Sequence, residues 1–169
     1  MTPVRPNRFH PDVAAEVAKR LLDPVARSLC AKDAERPEIL EQLADVLTGC
    51  SDWDGYSLAV NLDRRFCWDP DAELVEILDG ASGIQWDVYR KRLKAWVKEN
   101  GITTELKVGD KVKTDRSGEH VGEIVSVDPE VATATIFVAK LGHVRSGVGT
   151  HGVIVGYEQC EKVPEERLQ

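Results

Sequence analysis

Residues 84–114, IQWDVYRKRLKAWVKENGITTELKVGDKVKT, decide the fold because the spacing of apolar residues changes within them. Up to Asn100 the apolar residues recur every three or four positions, as on one side of an α-helix. Asn100-Gly101 is a helix stop signal, and from Leu106 onward the period is two, which is typical of β-strands. The sequence therefore predicts an α+β protein. An α-helical domain is expected at residues 1–101 and a small β-barrel at residues 106–163, followed by a tail at 164–169.

Helix signals fill the first hundred residues. Pro11 starts a helix after a loose arm. Asp23-Pro24 is expected to break or kink it and to cap a second short helix at residues 24–31. The next helix runs from Asp33 to Gly49. Later helices are expected to start at a Ser51 or Asp52 cap, at Asp69-Pro70, and at residue 84. Most of the four tryptophans are interpreted as core, and the apolar stripe of the last helix comprises Trp86, Tyr89, Leu93, Trp96 and Val97.

Charge is strongly segregated along the chain. Residues 33–79 carry thirteen acids against three arginines, a net charge of −10, whereas residues 1–32 and 80–100 each carry +3. The whole chain has a net charge of −7. Because phosphate binding depends on Lys and Arg, this balance argues against general affinity for nucleic acid and favours a basic partner.

Two predicted helices carry acids opposite their apolar sides. Neighbours three or four residues apart on such a helix lie about 4.5–6 Å apart along its axis, a spacing of the same scale as that of phosphates along a nucleic-acid strand. Both faces together could imitate a nucleic-acid backbone. The alternative is that these acids are only the solvated sides of amphipathic helices. The candidate partner-binding residues are Glu38, Glu41, Asp45, Asp69, Glu73 and Glu76.

Four or five short strands are predicted after the change of period, at residues 111–114, 121–127, 133–139, 152–157 and, less clearly marked, 159–163. Residues 108–163 resemble the SH3-like barrels of the KOW type. The resemblance rests on Val108, Gly109, Asp110, Val112, Gly122, Ile124 and Val125. It implies a small closed β-barrel of a kind that binds RNA or protein.

A second resemblance concerns the helical part. The segments DGYSLAVNLDRRF (54–66) and WDPDAELVEILDGA (68–81) are similar to small phage and prophage proteins, a group that includes anti-CRISPR-type inhibitors. This resemblance implies a non-enzymatic inhibitor that binds the basic surface of a protein or ribonucleoprotein complex of the bacterial host. It transfers no functional residues.

Two other functions compete with this hypothesis. In the first, a nucleic-acid or ribosome adaptor uses the barrel together with the basic helix at residues 84–99, whose cations are Arg90, Lys91, Arg92, Lys94 and Lys98. In the second, an enzyme requires a pocket that joins His143 and His151 with acidic residues. No catalytic constellation is visible in the sequence.

Several motifs are set aside. The GxGxxG at residues 147–152 precedes a strand rather than a helix, so a hairpin loop is expected there. Asp52-Trp53-Asp54-Gly55 lacks the flanking ligands of a calcium loop. The cysteines show no metal or disulfide spacing and are expected to be buried, reduced thiols. Neither a metal nor a cofactor is predicted. No signal peptide or membrane span is visible, so a cytoplasmic location is expected.

Overall fold

The computed structural model of the chain describes residues 3–114, 121–138 and 152–164, and the backbone of residues 145–146 and 149–150. It divides into two compact units, residues 1–92 and 93–169. All the helices longer than one turn in the described residues precede all the strands. The α+β class predicted from the change of period at Asn100-Gly101 is therefore confirmed.

Five α-helices form the first part of the chain. Their bounds are Pro11–Ser28 for α1, Arg36–Gly49 for α2, Gly55–Phe66 for α3, Ala72–Asp79 for α4 and Ala81–Asn100 for α5. A single 3₁₀ turn, Asp33–Glu35, leads into α2. The predicted ends of α2 at Gly49, of α4 at Gly80 and of α5 before Gly101 agree with these bounds. Gly101 adopts a φ of +58°, a conformation that glycine accepts without steric cost.

Helix α1 corrects the prediction that Asp23-Pro24 breaks the helix. The helix continues through Pro24 to Ser28. Proline lacks the N–H that would bond the preceding turn, but Val25 and Ala26 directly after it are fully buried. Burial of these two side chains in the core offsets the missing hydrogen bond, so a local helix-breaking signal does not end this helix.

The starts of α3 and α4 also differ from the prediction. Asp54, not Ser51 or Asp52, caps α3, because its side chain accepts a hydrogen bond from the Ser57 N–H at 2.9 Å. Asp71 caps α4 in the same way through the Leu74 N–H. The cap of α3 lies later in the chain because Trp53, just before it, is only 5% exposed and packs in the core.

The helices of the first unit surround one apolar core. Helix α1 packs against α2 and α4, and α3 also packs against α2 and α4. This cyclic order places α2 and α4 at diagonal positions. The core residues that all four helices share include Val17, Leu43, Leu62 and Leu78.

The second unit contains a five-stranded antiparallel sheet. Its strands are β1 (Lys111–Lys113), β2 (Gly122–Asp128), β3 (Thr133–Phe137), β6 (Val153–Gly156) and β7 (Glu161–Lys162). Their spatial order is β6-β3-β2-β1-β7. Two further short strands, β4 (Arg145–Ser146) and β5 (Gly149–Thr150), pair only with each other. All five predicted strand segments are therefore present in the sheet, each within two residues of its predicted start.

The sheet is open among the described strands, since β6 and β7 form its two edges and do not pair. Its pairing shifts register between Ile124 and Ser126 of β2, which leaves Val125 as a bulge. One face is apolar, with Val112, Ile124 and Ile136 almost completely buried. Trp96, from the last turns of α5, belongs to the same core.

Two predictions about burial are wrong. Trp86 is 51% exposed, and the buried side of α5 in the first unit contains Gln85 and Val88 instead. The prediction fails at Trp86 alone, since Leu93 and Trp96 of the predicted stripe are buried and Tyr89 and Val97 are half-buried. None of the four cysteines is fully buried. Cys30 and Cys67 are exposed at the ends of α1 and α3, where both adopt a positive φ, and Cys50 and Cys160 are half-buried.

Candidate partner-binding surface

The acidic side of α2 carries three of the predicted binding residues, Glu38, Glu41 and Asp45, and all three are exposed. Asp45 forms an ion pair with Arg65 of α3. Glu38 accepts a hydrogen bond from the Gln42 amide at 3.0 Å. Asp45 is thus neutralised within the unit, whereas Glu38 and Glu41 remain available as charges.

Gln42 also connects this side to the loop between α3 and α4. Its side-chain oxygen accepts a hydrogen bond from the Trp68 indole, and Asp69 follows Trp68 directly. Asp69 is not part of α4, contrary to the predicted helix start, because it has a φ of +48° and α4 begins only at Ala72. Asp69 therefore stands one residue away from a contact with α2, not on the acidic side of α4.

Glu73 and Glu76 are the two predicted binding residues that lie on α4, and both are exposed. Within the described part of the chain neither makes a hydrogen bond or ion pair. Because α2 and α4 occupy diagonal positions in the unit, their outward sides point in different directions. The structure thus separates the acids into an α2 face (Glu38, Glu41, Asp45 and, next to it, Asp69) and an α4 face (Glu73 and Glu76).

The cations of the alternative, basic site lie on α5 and are partly engaged. Arg92 contacts Asp12, with its guanidinium 3.0 Å from the Asp12 carbonyl oxygen, and Lys94 pairs with Glu130 at 2.7 Å. Lys91 and Lys98 are exposed and have no partner within the described residues. Only part of this positive charge is therefore available for phosphate groups.

Hydrogen bonding and burial shift the pKa values of some of the described groups. The Ser57 hydroxyl and backbone N–H that bond Asp54 lower the pKa of this carboxyl, as expected for a helix cap. Bonding to Lys162 lowers the pKa of Asp110. Burial raises the pKa of the Cys50 and Cys160 thiols, which makes both poor nucleophiles at neutral pH.

The two histidines of the enzyme hypothesis and part of the GxGxxG motif are not among the described residues. His143 and His151 lie outside the described residues, as do Gly147 and Val148 of the GxGxxG motif. Strands β4 and β5 border Gly147 and Val148 and pair with each other. Among the residues that the structure describes, no cluster of His, Cys, Asp or Glu could hold a metal ion, and no helix has the length and apolar character needed to cross a bilayer.

Sequence reasoning missed one concave site. A pocket in the first unit joins the N-terminal arm at Arg8 and Phe9, the loop between α2 and α3, and the start of α5 at Gln85. Asp52-Trp53-Asp54 and Gln85 both line this pocket, but they are distant in the sequence. Only the fold shows that they lie together.

No family model, curated protein or solved structure matches this chain. Its function must therefore be argued from its own residues.

Proposed function

We propose that this chain is a non-enzymatic interaction protein of a phage or mobile element. It inhibits a nucleic-acid-handling complex of the bacterial host, of the kind that anti-CRISPR proteins target, by binding the complex's basic surface in the cytoplasm. The observation that carries the proposal is the acidic segment at residues 33–79, whose six candidate acids are all exposed.

The available charge supports the proposal. Among the described residues, Asp45 is the one acid of the six that an ion pair neutralises. Glu41, Asp69, Glu73 and Glu76 make no hydrogen bond or ion pair within the described residues. Free carboxylates on a body of net negative charge attract a basic surface and accelerate association with it.

The separation of the two acidic faces indicates the shape of the partner's basic surface. A flat basic surface would meet either the α2 face or the α4 face, whereas a cleft would meet both. A cleft that holds nucleic acid is lined with Lys and Arg that neutralise phosphates. The proposed binding site is therefore a basic cleft of the host complex, which the first unit enters in place of nucleic acid.

The test is capture from a bacterial lysate with the tagged protein, with and without nuclease. We expect a nucleic-acid-handling complex to be retained after nuclease treatment and released by added nucleic acid, because both ligands occupy the same cleft. Retention that disappears with nuclease, or that added nucleic acid leaves unchanged, would contradict the proposal.

A second candidate function is a nucleic-acid or ribosome adaptor, and the strand order favours it. In the order β6-β3-β2-β1-β7, the first strand pairs with both the second and the last, and β2 is bulged at Val125. Bulges bend sheets and help them to close, which supports the finer proposal of an SH3-like barrel. Lys91 and Lys98 would supply phosphate contacts. Nuclease-sensitive capture is the result expected of this function.

A further inference from the structure

The pocket of the first unit has the size of a small-ligand site. Its volume is about 320 Å³, near the lower end of the roughly 300–1,000 Å³ typical of such sites. Its walls come from the N-terminal arm, the loop between α2 and α3, the end of α4 and the first turns of α5. All of these segments belong to the first unit, so the site needs nothing from the second.

Carboxylates are the most numerous charged groups that line the pocket. The carboxylates of Asp52, Asp54 and Asp79 line it, against the single guanidinium of Arg8. Asp79 accepts a hydrogen bond from the Gly55 N–H at 2.5 Å through one oxygen, and Asp54 accepts one from Ser57. The Ser57 hydroxyl also bonds the Asp54 carboxylate. Within the described residues the second oxygen of Asp79 accepts no hydrogen bond, and Asp52 makes no hydrogen bond or ion pair. The excess of carboxylates favours a cationic ligand.

Gln85 adds a further acceptor to the pocket. It lines the pocket, and only 1% of its surface is exposed. Its amide nitrogen donates to the Arg8 carbonyl oxygen at 3.3 Å. Its side-chain oxygen accepts no hydrogen bond within the described part of the chain. This oxygen is therefore open to the pocket, where it can accept a hydrogen bond from a donor that a ligand brings.

Aromatic rings complete the walls. Phe9 and Trp53 meet edge to face, with their ring centroids 6.4 Å apart. The Arg8 guanidinium lies 4.6 Å from the centroid of Phe9 and 5.1 Å from that of Trp86. The rim of this pocket thus already holds one guanidinium against ring faces, an arrangement that cation–π attraction stabilises.

We propose that this pocket binds a guanidinium group, carried by an arginine side chain of the partner; the identity of the carrier rests on the proposed function. A guanidinium presents five N–H donors in one plane and matches acceptors that are spread over several walls. The same spread disfavours a metal ion, since the described acids form no cluster that could coordinate one. An anion would meet the repulsion of three carboxylates.

The probe is N-acetyl-arginine amide, added to the purified full-length protein and followed by NMR. We expect saturable shifts of the Trp53 indole N–H and the Gln85 side-chain amide. The citrulline analogue, which has the same shape but no charge, is expected to bind at least about tenfold more weakly because it loses charge-assisted hydrogen bonds. Asp52→Asn is expected to lower the affinity for the arginine probe by about tenfold, because it also removes a charge-assisted hydrogen bond.

Asp63→Asn is the matched control because it removes an equal charge from an exposed position of α3 that does not line the pocket. It should leave the affinity for the probe unchanged. Equal binding of the citrulline analogue, an unchanged affinity in Asp52→Asn, or shifts at Trp53 and Gln85 caused by acetate instead would overturn the assignment.

The source of the guanidinium is tested by partner capture with Asp52→Asn. Weaker capture, with Asp63→Asn unaffected, supports an arginine of the partner. Full capture by Asp52→Asn would overturn that source. Because the probe measurement needs no partner, probe binding that depends on Asp52 in a protein that captures nothing would refute the proposed function and leave the guanidinium site intact.

Discussion

Asp110 connects the turn before β1 with the last strand of the sheet. One of its carboxylate oxygens lies 3.0 Å from the Lys162 amine and accepts a hydrogen bond from the Lys107 N–H at 2.9 Å. The Asp110 side chain is only 17% exposed. Bonding to Lys162 lowers the pKa of Asp110 in the folded state below its usual value of 3.8.

The lowered pKa gives a pH dependence with a definite sign. The stabilisation by Asp110 is complete above its unfolded-state pKa and is lost as the pH falls through its folded-state pKa. We expect Asp110→Asn to lower the free energy of unfolding by about 0.5–1.5 kcal/mol at neutral pH. The difference from the native protein should shrink on the acid side of about pH 4.

The measurement is urea unfolding between about pH 7 and about pH 3, followed by NMR signals of the sheet. Glu105→Gln is the control because Glu105 is exposed and has no partner within the described residues. A constant difference between Asp110→Asn and the native protein at every pH would contradict the assigned role.

Gly55 shows how one small residue fixes the packing of two helices. A side chain at this position would collide with the carbonyl oxygen of Val75 and with the carboxylate of Asp79, so the start of α3 approaches the end of α4 only without one. At Gly83 in the first turn of α5, an added Cβ would meet nothing within 4 Å. The two glycines therefore predict opposite effects of the same substitution.

Gly55→Ala is expected to destabilise the first unit by about 1–3 kcal/mol, because backbone atoms must move to relieve the collision. Gly83→Ala is expected to stabilise it by up to roughly 1 kcal/mol through helix propensity. Thermal unfolding followed by circular dichroism measures both. Equal effects of the two substitutions would show that the approach of α3 to α4 is not tight.

Local chemistry made several elements predictable from sequence. Gly49, Gly80 and Asn100-Gly101 mark helix ends, and the change of period marks the strands; both signals depend on neighbouring residues. The errors have long-range causes. Helix α1 continues past Pro24 because Val25 is buried in the core, and α3 is capped by Asp54 because Trp53 is buried just before it.

The candidate site was less predictable than the fold. Exposure of the six acids agrees with the helical pattern, but the diagonal positions of α2 and α4 depend on tertiary packing that periodicity does not contain. The pocket depends even more on tertiary packing, since it is lined by residues from four separate segments: Arg8, Asp52, Asp79 and Gln85.

At the scale of the whole molecule, the proposed function predicts steering by charge. Between about 0.05 M and about 0.5 M salt, the association rate with the captured complex should fall by at least about tenfold, because screening shortens the reach of exposed charges. The dissociation rate should change much less. Surface plasmon resonance measures both rates. Association that is independent of salt would argue against the acidic faces as the binding surface.

The two faces can be separated by reversing their charges in pairs. If a cleft encloses both, Glu38→Lys with Glu41→Lys and Glu73→Lys with Glu76→Lys should each weaken binding by about tenfold or more. A loss confined to one pair, measured with the same captured complex, would restrict the partner to a single face and contradict the cleft.

The most direct test of the account is the affinity of the captured complex for the variant that carries all four reversals. Its control reverses four exposed acids elsewhere, Asp63, Asp87, Glu99 and Glu105, and so has the same net charge. We expect the four reversals on α2 and α4 to weaken binding at least about a hundredfold, with the helical circular dichroism signal retained. The control should lose only the general steering by net charge and weaken binding much less. Equal affinities of the two variants would show that the acidic sides of α2 and α4 are solvated surfaces and not the binding site.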